Sequence, residues 1–112
     1  MSRIFEITEK VQAYSPKSDI DLINRAYVFA AQAHKDQRRS SGDLYMTHPL
    51  AVANILASLK LDVNSIVTAL LHDTVEDTHV TLDDVRIRFG DEVTRLVDGV
   101  TKIGQIHFNS SA

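Results

Sequence analysis

Three observations on the amino-acid sequence predict an all-α fold. Apolar residues recur at helical spacing along almost the whole chain, and no segment alternates with period two for long. The polar breaks between these patterns are short. Only four Gly and two Pro occur among the 112 residues. This length fits one domain or a piece of one, so we expect a single multi-helix bundle.

Two helices are predicted in the first third of the chain. The apolar pattern from Ile4 to Tyr14 indicates the first. Ser18, with Asp21 three residues later, resembles a capping box, so we expect a second helix from there to about Lys35. The polar run 36–45 predicts a loop.

The middle of the chain predicts two more helices. Thr47 is expected to cap a helix that runs to about Leu59, with Pro49 in the first turn, where a missing N–H costs nothing. After a polar break, the pattern predicts a helix from Val63 to about Val75.

The last third predicts a short helix followed by a final one. Thr81, with Asp84 three residues later, forms the signature of a capped start, and this helix is expected to end at Phe89-Gly90. Asp91 opens the final helix, and its apolar pattern is lost in the tail, residues 107–112.

The final helix carries an apolar face with few partners earlier in the chain. This face consists of Leu96, Val97 and Val100. It indicates either a domain truncated on its C-terminal side or a contact with a second copy of the chain, and both interpretations stay open.

Composition and charge exclude several classes of protein. A formal net charge of −3 gives no basic field for nucleic-acid phosphates. The absence of cysteine excludes disulfides and thiolate metal sites. The N-terminal segment is charged, and no run is long enough to span a membrane. We therefore expect a cytoplasmic protein with no nucleic-acid or membrane partner.

Adjacent His72 and Asp73 are the most informative residues, because they follow an apolar run in which charge is rare. Ionisable groups at such a place must be paired, hydrated or bound to a metal. On a continuous helix, Glu76 lies one turn beyond His72 and Asp77 one turn beyond Asp73, which gives a single polar patch. His48, at the start of an earlier helix, can face the same cleft.

These residue types suit metal-assisted hydrolysis of a phosphate ester. Two imidazoles and a carboxylate are usual donors for Mn²⁺, Fe²⁺ or Zn²⁺. Such an ion polarises a phosphoryl oxygen and lowers the pKa of a bound water, and spare carboxylates nearby can orient or deprotonate that water. The residues alone therefore indicate a metal-dependent phosphohydrolase.

Each of these residues also has a purely structural interpretation. The His72-Asp73 pair and the Glu76-Asp77 pair can be hydrogen-bonded or solvated helix ends, and His48 can be a packing or capping residue beside proline. The sequence offers no spatial argument for the three other histidines, and we expect them at the surface: His34, His79 and His107.

Three segments, in this order and spacing, closely resemble the N-terminal hydrolase domain of RelA/SpoT-type proteins: Tyr45–Ala53, Leu70–Thr78 and Phe89–Lys102. Those domains belong to the HD superfamily of all-helical, metal-dependent phosphohydrolases. They remove the 3′-pyrophosphate from guanosine tetra- and pentaphosphate, the alarmones of the bacterial stringent response. The resemblance covers residues 20–102 and implies that residues 1–112 are the N-terminal part of an HD-domain bundle in a bifunctional (p)ppGpp synthetase/hydrolase.

The resemblance implies a metal site and a water-activating pair. His48, His72 and Asp73 match the residues that bind Mn²⁺ in the family. Glu76 and Asp77 match the acidic pair that activates the attacking water. The family's fourth metal ligand is an Asp on a later helix, and no counterpart occurs within the matched region.

The resemblance also implies a guanine-nucleotide substrate. Arg39 matches the loop arginine that contacts the nucleotide, with Ser41 nearby in the same loop. Ser40 stands where the family commonly has Lys, so we expect one phosphate-facing charge fewer than in the family. Asp43-Leu44 replaces the Glu-Pro of the commonest loop form.

Two other functions remain open from the sequence. One is an HD phosphohydrolase that acts on another nucleotide. The second is a catalytically incomplete module that binds guanine nucleotide or mediates assembly.

Overall fold

The computed structural model describes the backbone of residues 3–35 and 45–111 and the side chains of residues 3–35 and 45–103. Within these ranges the chain is all-α without strands, which confirms the predicted class. The helices, in chain order, are α1 (Ile4–Tyr14), α2 (Ile20–Ala33), α3 (Thr47–Ser58), α4 (Val63–Leu71), α5 (Thr74–Asp77), α6 (Leu82–Phe89) and α7 (Asp91–Ser111).

Helix α4 lies at the centre of the bundle. It contacts α2, α3 and α7, while α1 packs on α2 and α3, and α6 packs on α7. Every residue from Ile66 to Leu71 is buried, because neighbouring helices surround this part of α4. Full burial of one such leucine side chain contributes about 1.5–3 kcal/mol, so the C-terminal end of α4 is firmly anchored in the core.

Side chains cap two helices where the sequence suggested other residues or none. Asp19, not Ser18, caps α2, because its Oδ1 accepts a hydrogen bond from the Leu22 backbone N–H at 3.1 Å. Asp62 caps α4 in the same way through the Ser65 N–H. A carboxylate that accepts from a free N–H of the first turn also offsets the positive end of the helix dipole.

The predicted cap at Thr47 is wrong, whereas the predicted capping box is confirmed. Thr47 is the first residue of α3, and Met46 before it already has helical dihedral angles, so no side chain has the geometry of a cap. At α6, Thr81 accepts from the Asp84 N–H and the Asp84 carboxylate accepts from the Thr81 N–H.

The prediction of one continuous helix from Val63 to about Val75 is wrong. Helix α4 ends at Leu71, and α5 begins at Thr74 after a turn whose second residue, Asp73, has φ −97° and ψ −5°. The His72 ring forms a hydrogen bond with the carbonyl oxygen of Ala69. A side-chain hydrogen bond of this kind competes with the backbone hydrogen bonds that would continue the helix.

Helix α7 continues further than the sequence pattern indicated, to Ser111. The apolar face proposed on this helix also needs correction, because Val97 is fully buried and belongs to the core. Leu96 is half-buried, Val100 is 43% exposed and Ile103 is 68% exposed. None of the described helices has the length and apolar content needed to cross a bilayer.

Candidate active site

The junction between α4 and α5, together with the start of α3, gathers the residues proposed as metal ligands. His72 follows the last residue of α4, Asp73 precedes α5, and His48 is the second residue of α3. The centroids of the two imidazole rings are 5.9 Å apart, with their planes tilted by 60°. His72 Nε2 lies 3.1 Å from Asp73 Oδ2.

The hydrogen bonds of His72 determine how its two ring nitrogens are used. Nδ1 lies 2.7 Å from the carbonyl oxygen of Ala69. Because a carbonyl oxygen only accepts, Nδ1 carries the hydrogen, and Nε2 is the nitrogen that faces Asp73. A backbone carbonyl that orients one ring nitrogen in this way is typical of metal-binding histidines.

His72 and Asp73 stabilise each other's charged forms. The hydrogen bond to Asp73 raises the pKa of His72, although partial burial of the ring acts in the opposite direction. The same hydrogen bond lowers the pKa of Asp73, with smaller contributions from Tyr45 and from the nearby His48 side chain. In the metal-free protein the pair is therefore an ion pair in mildly acidic solution.

The residues proposed as metal donors are neighbours, but they do not point at a common centre. Among residues 3–35 and 45–103, no three His, Asp or Glu side chains converge as a preformed metal site does. Asp73 is turned toward His72, and the imidazole of His48 is tilted against that of His72. By their chemical type, however, two imidazoles and a carboxylate are suitable ligands for a divalent transition metal ion.

The two carboxylates proposed to activate water lie on α5. Glu76 and Asp77 are both exposed to solvent. The hydroxyl of Tyr45 donates to Asp77 Oδ2 across 3.4 Å, so one of the two carboxylates is held by a buried side chain. Arg39 and Ser41, proposed to contact the nucleotide, lie outside the described residues.

The expectation that His34 lies at the surface is wrong, because its side chain is only 2% exposed. Its ring stacks on that of Tyr45, with centroids 3.7 Å apart and planes 11° from parallel. Nε2 of His34 also lies within hydrogen-bond distance of the Thr74 hydroxyl, at 3.3 Å. The signal for this burial was present in the sequence, since His34 continues the i, i+3, i+4 spacing of Ile23, Ala26 and Ala30 on the buried face of α2. His79 is exposed, as expected, and the side chain of His107 lies outside the described residues.

The sequence also indicated no chemical role in the site for Tyr45. Burial raises the pKa of its phenol, and hydrogen bonds to Asp73 and Asp77 raise it further. The phenol therefore stays protonated at all physiological pH values and acts only as a hydrogen-bond donor toward the two carboxylates.

An apolar cleft of about 330 Å³ opens beside His72. Seven further residues line it: Val52, Leu56, Ser65, Thr68, Ala69, Leu96 and Val100. Leu96 and Val100 of α7 thus face the cleft that His72 borders. That this cleft is covered, either by later helices of the domain or by a second copy of the chain, stays a prediction.

Comparison with known proteins identifies a consistent group of relatives. The family described as "HD domain" matches residues 26–112. A probable GTP pyrophosphokinase of Mycobacterium leprae is 54% identical over 99 residues, which is 88% of this chain and 13% of the relative. A GTP pyrophosphokinase of Myxococcus xanthus is 53% identical over 102 residues, 91% of this chain and 13% of the relative. The bifunctional (p)ppGpp synthase/hydrolase SpoT of Escherichia coli K12 is 45% identical over 106 residues, 94% of this chain. The chain spans 13 to 15% of the length of these relatives.

Proposed function

Because this chain belongs to the HD-domain family, in the branch of RelA/SpoT-type proteins, we propose that it carries a metal-dependent (p)ppGpp hydrolase site. The substrates would be guanosine 3′,5′-bis-diphosphate and the corresponding pentaphosphate. The products would be GDP or GTP together with pyrophosphate. The chain would be the N-terminal part of a bifunctional synthetase/hydrolase that acts in the stringent response.

One observation carries this proposal. At the α4–α5 junction, a histidine held by a backbone carbonyl meets an aspartate, a second histidine and two exposed carboxylates. Such a group suits the transfer of a phosphoryl group to water, because it combines metal donors with proton acceptors. A relative with 45% identity is named both synthase and hydrolase, and this group of side chains supports the second of those activities.

HD domains typically bind divalent metal ions, and the donors in this chain fit such an ion. His48, His72 and Asp73 would hold it, and we propose Mn²⁺, although Fe²⁺ and Zn²⁺ accept the same donors. When bound, the ion supplies Lewis-acid polarisation of a phosphoryl oxygen and lowers the pKa of water. Nδ1 of His72 stays hydrogen-bonded to Ala69 and keeps the ring in its orientation.

The two carboxylates of α5 would activate and orient the attacking water. Glu76, which is exposed on α5, would accept a proton as the water oxygen bonds to the phosphorus next to the ribose. Asp77, held by Tyr45, would orient the same water. The bond from this phosphorus to the ribose 3′ oxygen breaks, and that oxygen takes up a proton to become the 3′-hydroxyl of GDP.

Nucleotide recognition is proposed for the segment between α2 and α3. Arg39 would contact the guanine nucleotide, because guanidinium groups pair well with phosphate, and Ser41 would add a hydroxyl. Both assignments derive from the resemblance described above.

The test is to incubate the purified chain with Mn²⁺ and guanosine 3′,5′-bis-diphosphate and to separate the nucleotides by ion-exchange chromatography. His72→Ala serves as the inactive control. We expect GDP and pyrophosphate in equal amounts from the wild type and neither from the variant.

Failure to hydrolyse would be followed by the same assay on a longer protein that contains this chain. Activity only in the longer protein would show that further residues complete the site. Binding of guanine nucleotide without hydrolysis in both proteins would contradict the proposal and favour a binding module. Faster hydrolysis of another nucleotide would assign a different substrate.

A further inference from the structure

Tyr45 occupies a position between the proposed metal site and the proposed water-activating site. It lies two residues before α3, and its side chain is only 9% exposed. Its hydroxyl lies 3.4 Å from Asp77 Oδ2, and it is also near enough to the Asp73 carboxylate for their interaction to raise the pKa of the phenol and lower that of Asp73. One buried phenol therefore contacts one carboxylate from each of the two proposed groups.

The ring of Tyr45 is locked from one side. His34, at the end of α2, stacks on it face to face, and His34 is itself buried and in hydrogen-bond contact with Thr74. Thr74 is the first residue of α5 and is completely buried. The support of the phenol and the helix that carries Asp77 are therefore parts of the same packed unit.

A phenol has a single hydrogen to donate, and two carboxylates compete for it. Asp73 has a second donor in His72. The hydroxyl close to both carboxylates limits how far either can rotate, since a carboxylate that turns away loses its attraction to a buried donor.

We infer that Tyr45 is a positioning residue that fixes the carboxylates of Asp73 and Asp77 relative to each other, with His34 as the support for its ring. Asp73 is thereby kept near the two histidines while Asp77 faces the water site. This inference rests on the proposed function for the roles of the two aspartates, but the contacts themselves exist in the metal-free chain. Residues that orient metal ligands typically contribute about 10–100-fold to metal affinity or activity.

The test variant is Tyr45→Phe, which removes the hydroxyl and retains the stacked ring. Tyr14→Phe is the matched control, because the Tyr14 hydroxyl also donates a hydrogen bond, to the carbonyl oxygen of Leu61 at the opposite end of α4. Mn²⁺ affinity is measured from the electron paramagnetic resonance signal of free Mn²⁺, and thermal unfolding of the metal-free proteins reports on the fold.

We expect Tyr45→Phe to bind Mn²⁺ about ten-fold or more weakly than the wild type. Its kcat should fall while the KM for the nucleotide stays close to the wild-type value. Its melting temperature should decrease no more than that of Tyr14→Phe, which should keep normal Mn²⁺ affinity and kcat. A crystal structure of metal-free Tyr45→Phe should show the Asp77 carboxylate displaced.

The two proposals fail in different ways. If the wild type and the longer protein that contains it both bind Mn²⁺ without hydrolysing the nucleotide, the proposed function is contradicted, and the comparison of Mn²⁺ affinities still decides the role of Tyr45. If Tyr45→Phe matches the wild type in Mn²⁺ affinity and in kcat, or if the wild type binds no Mn²⁺, the positioning role is overturned.

Discussion

The imidazole of His72 donates a hydrogen bond from Nδ1 to the carbonyl oxygen of Ala69, 2.7 Å away and three residues earlier in the chain. Ala69 belongs to the buried stretch of α4, so the core of the bundle orients this ring. This hydrogen bond leaves Nε2 directed at Asp73, with the ring centroid of His48 5.9 Å from that of His72.

Loss of either imidazole should abolish metal binding. His48→Ala and His72→Ala each remove a proposed nitrogen ligand, and the loss of affinity should exceed the roughly 10–100-fold effect of losing a supporting residue. Isothermal titration with Mn²⁺ measures it. His79→Ala is the control, since His79 is exposed and lies outside the group. Normal binding by His72→Ala would remove this residue from the metal site.

Glu76→Gln should separate turnover from metal binding. The substitution removes a proton acceptor but no proposed ligand, so kcat should fall by about 10²–10⁴-fold while Mn²⁺ affinity remains. Glu9→Gln, an exposed position on α1, provides the matched control. Undiminished turnover by Glu76→Gln would assign proton acceptance to another residue.

The ion pair of His72 and Asp73 should make the stability of the metal-free protein depend on pH. The pKa of His72 is raised above its ordinary 6.5, so its contribution is fully present below pH 6.5 and is lost as pH rises through the pKa in the folded protein. The pKa of Asp73 is lowered below its ordinary 3.8, so its contribution is present above pH 3.8 and is lost as pH falls through the lowered value.

Stability attributable to this pair should therefore be greatest between pH 3.8 and 6.5. Urea unfolding of the wild type and of Asp73→Asn across this range measures the difference, which should shrink on both sides of the window. A difference that stays constant from pH 4 to pH 9 would show that the pair adds no pH-dependent stability.

Truncation of α4 should destabilise the whole bundle. Leu70 is 1% exposed within the central helix, and Leu70→Ala should lower the free energy of unfolding by about 2–5 kcal/mol because it leaves a cavity. Leu59→Ala, at a position 65% exposed, should change it by less than about 0.5 kcal/mol. Chemical denaturation compares the two, and equal effects would contradict the central position of α4.

The capping box of α6 should contribute measurably to stability. Thr81→Ala removes the oxygen that accepts from the Asp84 N–H and should cost about 1 kcal/mol. Thr81→Ser retains this oxygen and should unfold like the wild type. If both variants unfold alike, the side-chain oxygen is not what stabilises the start of α6.

The helical fold and most helix positions could be predicted from the amino-acid sequence. Periodic apolar residues identified all the helices except the short α5 as a separate element, and the pattern of Thr81 and Asp84 identified a capping box correctly. It also singled out His48, His72 and Asp73, which the structure places side by side. These features were predictable because helical spacing, caps and adjacent ionisable residues are local properties of the chain.

The distant residues that support the site could be identified only from the way the helices pack. Only packing showed that His34 is buried against Tyr45 and that it reaches Thr74, forty residues away. Only packing showed that Val97 belongs to the core. The end of α4 before Asp73 was also seen only in the structure, where the His72 ring hydrogen-bonds to the carbonyl oxygen of Ala69. Periodicity can indicate which face of a helix is apolar, but which residues of separate helices meet depends on how the helices pack around α4.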